Sequence, residues 1–131
     1  MAISGKWEGK LIDATGPTAG LEVNVKEKGG AVTGDFSLFF FSERDGCAAG
    51  ERRLVQSGPI NGRYNKVTGK VNVTYEVTVG LEPAVVVLDG VVRDGHGHAR
   101  QAIVGCYGPK KDDRGALTLE GGGVVLWQYA R

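Results

Sequence analysis

The feature that most constrains this 131-residue chain is a short recurring pattern, apolar-x-Gly-x-large apolar. It appears as Ile3-Ser4-Gly5-Lys6-Trp7, Val32-Thr33-Gly34-Asp35-Phe36 and Ile60-Asn61-Gly62-Arg63-Tyr64. It returns as Val67-Thr68-Gly69-Lys70-Val71, Leu88-Asp89-Gly90-Val91-Val92 and Ile103-Val104-Gly105-Cys106-Tyr107. Side chains of a β-strand alternate between faces, so positions one, three and five share a face and the middle one is bare. A glycine there lets the strand bend sharply and leaves room for a neighbour's aromatic ring. Strands that coil into a closed barrel need such bends, and closure removes the exposed edges that invite aggregation. The 22 glycines also disfavour long helices, where each costs about 1 kcal/mol relative to Ala.

Around the repeat, apolar and polar residues alternate at period two, as in Leu21-Glu22-Val23-Asn24-Val25-Lys26 and Val71-Asn72-Val73-Thr74-Tyr75-Glu76-Val77. Turn signals separate the runs: Gly16-Pro17, Lys28-Gly29-Gly30, Asn61-Gly62 or Asn65-Lys66, Asp94-Gly95, Gly108-Pro109 and Gly121-Gly122-Gly123. Strands are expected over 4–13, 20–27, 31–42, 51–64, 66–79, 83–93, 98–108 and 115–129, the last with a break at the glycines as an alternative. Hairpin spacing without crossover helices makes neighbours antiparallel. The expected fold is all-β, one domain over 1–131, an antiparallel up-and-down eight-stranded β-barrel; an open meander or sandwich is the alternative.

Gly5-Lys6-Trp7 resembles the Gly-x-Trp opening of the calycin barrels, which include lipocalins, fatty-acid-binding proteins and avidins. Within that group the layout is most similar to avidin and streptavidin. Gly30-Ala31-Val32-Thr33-Gly34-Asp35-Phe36 resembles their third strand, Ile60-Asn61-Gly62-Arg63-Tyr64 their fourth and Leu88-Asp89-Gly90-Val91-Val92 their sixth. The resemblance implies a barrel whose interior is either filled or rebuilt for another ligand, and a homo-oligomer. The biotin site does not carry over. Gly9 stands at the position of a polar Asn, Phe36 at that of a tyrosine, Leu38 at that of the following serine, and Leu88 and Gly105 where caging tryptophans would lie; Tyr75 can stand for one of them. A site built to hydrogen-bond a polar ligand loses orders of magnitude when its partners are missing.

A net charge of +1 provides no general pull toward nucleic acid or anionic membrane. No apolar run approaches the ~18 residues of a membrane-spanning helix. The chain enters a strand pattern at its first residues, which points to a cytoplasmic protein without a signal peptide. Cys47 and Cys106 are then expected as free thiols. No cofactor is implied.

Candidate chemistry is sparse. Trp7, Phe36, Tyr64, Tyr75, Tyr107 and Trp127 are the aromatic side chains expected to line the interior against a small, mostly apolar ligand. Leu38-Phe39-Phe40-Phe41 cannot all enter one face of a strand, and Ala84-Val85-Val86-Val87-Leu88 is equally two-sided. Phe39, Phe40, Phe41, Val85 and Val87 are therefore the candidate interface, with a local bulge as the alternative at the phenylalanines. His96 and His98, with Asp94, form a weak metal candidate that reads first as a hairpin turn. Cys106 is expected as a buried structural thiol beside Tyr107. Asp35, Glu76 and Asp89 are expected in solvent, and Asp13 has no evident partner for acid–base work. Three functions follow: a binding module for an apolar ligand, an assembly protein with a filled barrel, or an isomerase or cyclase that shapes its substrate. A ligand barrel needs a cavity of about 300–1,000 Å³, and a filled one has none.

Overall fold

A computed structural model describes residues 3–13, 16–41, 52–79, 82–95, 99–109 and 122–129. Among them run eight strands: β1 (Gly5–Asp13), β2 (Gly16–Lys28), β3 (Ala31–Phe41), β4 (Arg52–Tyr64), β5 (Lys70–Val79), β6 (Glu82–Asp94), β7 (Ala99–Pro109) and β8 (Gly122–Tyr129). Each pairs antiparallel with the next and β8 returns to β1, closing the barrel. The up-and-down barrel is the one that the alternation and the glycine repeat predict. The calycin-like architecture extends no further than this closed, eight-stranded, antiparallel plan.

The strands are staggered as they go round. Registered partners starting from Gly5 in β1 run through Val25, Gly34, Ile60, Tyr75 and Val86, and reach Pro109 at the far end of β7. A path that starts at one rim and ends near the other is the shear that a tilted, closed sheet requires.

Three expected turns lie inside strands instead. Gly16 and Pro17 pair with Asp13 and Ile12, across a register shift between Leu11 and Ile12. Gly108 and Pro109 pair with Val87 and Val86, and Gly122 and Gly123 open β8. Between Asn61-Gly62 and Asn65-Lys66, the chain turns at the second. There Asn65 Oδ1 accepts from the amides of Val67 and Thr68, Gly69 N donates to Asn65 O at 2.8 Å, and Gly69 takes φ +77°. An Asn that caps its own turn and a glycine free to adopt left-handed geometry make this the stronger signal.

The repeat's glycines work differently from expectation. A Cβ built on Gly34 would lie 1.8 Å from the carbonyl oxygen of Asn24, one on Gly62 1.9 Å from that of Asn72, and one on Gly105 1.9 Å from that of Asp89. The bare position is thus filled by a neighbouring strand's backbone, not by an aromatic ring. Outside the repeat, Gly58 and Gly122 face rings, with their Cβ positions 3.3 Å from Phe36 Cε1 and 3.1 Å from Tyr107 Cε1. Gly90 and Gly105 are direct partners across β6 and β7, so two bare positions coincide and the backbones close in.

Gly105→Ala is therefore expected to cost about 3 kcal/mol, because overpacking here meets rigid backbone. Gly29→Ala, at φ +60° with open space around it, is expected to cost only about 1 kcal/mol of left-handed strain. Urea unfolding of both variants checks the order; equal costs would mean that the close approach is not what Gly105 provides.

Candidate functional site

Inside the barrel the side chains meet. Ile3, Trp7, Phe36, Ile60, Val73 and Leu88 belong to one buried apolar cluster that also takes in Tyr64 and Tyr75. The rings of Phe36 and Tyr75 sit with centroids 4.6 Å apart and tilted by 42°, a favourable aromatic arrangement. Tyr107 is half-buried and packs against the same cluster. Among the described residues the void left in the interior is about 20 Å³, walled by residues such as Trp7, Val25, Val73 and Leu126. That is room for roughly one water and far below the ~300 Å³ of the smallest ligand pockets.

One end of the barrel is sealed by the chain's first described residues. Ile3 is buried, and its carbonyl accepts from Trp7 Nε1 at 2.8 Å. Ser4 binds on two sides: its carbonyl accepts from Gln128 Nε2 at 3.0 Å and its hydroxyl from Glu27 N at 3.0 Å. Gln101 Nε2 donates to Gln128 Oε1 at 2.8 Å, with both side chains buried. These two glutamines are interior residues that aromatic and apolar counting misses. The signal was present, since Gln101 stands in step with Ile103, Gly105 and Tyr107.

Trp127 belongs outside. Leu126 and Gln128 point inward, so Trp127 between them faces outward, half-buried. Val124-Val125-Leu126-Trp127 is apolar on both faces, and its parity is visible only once β8 is registered on β7 and β1. Cys106 is likewise exposed and free, not buried, because Gly105 and Tyr107 take the inward positions beside it. Asp35, Glu76 and Asp89 are exposed as expected. Asn24 and Asn72, their side-chain amides directed across the strands, donate to Asp35 and Asp89 respectively.

The outer face is unevenly made. From β1 to β5 it presents chiefly Lys6, Glu22, Asn24, Asp35, Asn72 and Glu76. Over β6, β7 and β8 it presents Val85, Val87, Val91, Val104, Val125 and Trp127 together with the exposed Asp89, Arg93 and Cys106. Val85 and Val104 are 40% and 43% exposed. Of the candidate interface residues, Val85 and Val87 lie on this face. Phe39 is half-buried next to a register shift between Leu38 and Phe39, and the side chains of Phe40 and Phe41 lie outside the described residues. A broad concavity of about 1390 Å³ runs outside the barrel from the turn at Lys66 and Val67 to Val91, Val104 and Cys106. It is partly open to water.

No group of three or more metal-binding side chains occurs among the described residues; His96 and His98, like Cys47, lie outside them. Among the described residues the one strongly shifted titration is that of Tyr75, whose phenol is raised well above its usual range by burial, with a further contribution from Tyr107. A phenol held neutral is a poor general base.

The Tyr75 shift has a consequence for stability. The unfolded phenol loses its proton near pH ~10 while the folded one keeps it, so stability that is full below that pH is lost as pH rises beyond it. Tyr75→Phe is expected to flatten this alkaline decline. Urea midpoints taken from about pH 8 to about pH 11 test it; an unchanged slope would place the titrating group elsewhere.

Comparison with known protein families, with curated proteins and with solved structures finds no match for this chain.

Proposed function

We propose that this protein is a non-enzymatic assembly module: a barrel filled for rigidity that acts through its outer surface. The observation that carries this reading is the interior void of about 20 Å³. A barrel that held a small apolar ligand would keep a cavity more than ten times larger. Trp7, Phe36, Tyr64 and Tyr75 then serve as core, and the kinship with avidins inferred from the glycine motifs concerns the frame alone. The apolar residues gathered outside β6, β7 and β8 support the same reading, since exposed apolar patches mark interaction sites. The isomerase alternative lacks a poised acid or base inside, and Tyr75 is held protonated.

Native mass spectrometry of protein purified without refolding tests the proposal. The expected spectrum shows a whole-number multiple of the bare 13.8 kDa chain with no added mass. A small molecule retained at one per chain would overturn the filled-barrel reading, and a bare monomer would overturn assembly.

A further inference from the structure

The outer face of β6, β7, β8 and β1 is ordered in rows by the strand register. One row reads Arg93, Ala102, Trp127, Glu8: Arg93 pairs with Ala102, Ala102 with Trp127, and Trp127 with Glu8. The next row reads Val91, Val104, Val125, Lys10 by the same pairings. The first row thus has a cation at one end, a carboxylate at the other and two apolar residues between. Arg93 and Glu8 stand three strands apart, and among the described residues neither has an ion-pair partner within its own copy.

Such a row is complementary to itself. When two copies of a surface meet about a two-fold axis lying in the interface, each position faces its mirror position across that axis. Place the axis along the strands, midway between β7 and β8. Ala102 then faces Trp127 of the second copy, Val104 faces Val125, and Arg93 faces Glu8; each contact occurs twice. Any axis that puts Arg93 on Arg93 would set like charges together at a cost. The register therefore favours this placement over one that stacks like charges.

We infer that two copies of this chain pair face to face across β7 and β8, with Val104 and Trp127 at the centre and Arg93–Glu8 ion pairs at both flanks. This inference rests on the assembly reading and specifies its surface. The centre is the kind an interface favours, an aromatic side chain beside valines with charges confined to the rim. Cys106 lies one row beyond Val104 on the same strand, outside the two rows that pair.

The test is charge exchange on the full chain, read by sedimentation equilibrium. Arg93→Glu alone and Glu8→Arg alone are each expected to weaken the dimer about 10-fold, because each reversal turns two rim attractions into two repulsions. The doubly exchanged protein, Arg93→Glu with Glu8→Arg, is expected to recover the wild-type constant within about threefold, since the pairs are restored in reverse. Val104→Glu is expected to yield monomer, with circular dichroism confirming the fold. A wild-type monomer would sink the inference and the assembly reading together. An oligomer indifferent to Val104→Glu and to both reversals would leave assembly standing and overturn this surface. Single reversals that weaken without recovery in the double exchange would overturn the axis.

Discussion

Everything in this barrel follows from how closely its strands approach one another at the inward glycines. Where Gly34, Gly62 and Gly105 stand, the carbonyl of a neighbouring strand occupies the space that a Cβ would need. No larger residue permits that approach, and without it the strands would be held further apart and coil less. Tight coiling narrows the bore. Trp7 and Phe36, both fully buried, together with the Phe36–Tyr75 contact, are enough to fill its middle. The close approaches at the repeat and the packed middle of the bore thus go together.

A closed barrel still has ends, and backbone and side-chain polar groups there need partners. The sealed end solves this with a small network. The indole of Trp7 binds the Ile3 carbonyl, Gln128 binds the Ser4 carbonyl, and Gln101 binds Gln128. Ile3 brings an apolar side chain and an otherwise orphaned carbonyl to the same place, and each finds its complement. A buried amide pair costs little when its bonds are made and a good deal when they are broken. The network therefore fixes the first described residues against β8 as firmly as the core fixes the strands.

The fold was largely legible because barrel strands carry their instructions locally. Alternation, the repeated glycine and hairpin spacing are each readable within ten residues, and the observed strands fall close to those expected. What was not legible is relational. Gly16-Pro17 reads as a turn until Ile12 and Asp13 are seen opposite it. Asn61-Gly62 reads as a turn as readily as Asn65-Lys66 until the side-chain bonds of Asn65 are counted. Trp127 reads as interior because aromatic side chains usually are, and its two-sided neighbours conceal the parity of β8. Cys106 was misplaced although the repeat itself puts it in an outward position, since cysteine's habit of burial outweighed the pattern. The interior volume is the least legible quantity of all, because it depends on stagger and on strand separation, neither of which any single strand encodes.

The distribution of polarity over the outer face turns on the same point. An antiparallel sheet with one face on a core is expected to be polar on the other, and β1 to β5 obey this. The strands β6, β7 and β8 do so less, although their inward faces are apolar apart from Gln101 and Gln128. The valines at 85, 87, 91, 104 and 125 add nothing to the interior, and their part in stability is confined to strand propensity and cross-strand contacts. Glycine pairing at Gly90 and Gly105 draws these strands together and sets the valine rows side by side. The glycines that narrow the bore thus also align the outer apolar surface. The interior void is about 20 Å³, and covering valines such as Val85 and Val104, 40% and 43% exposed, would remove apolar surface from water.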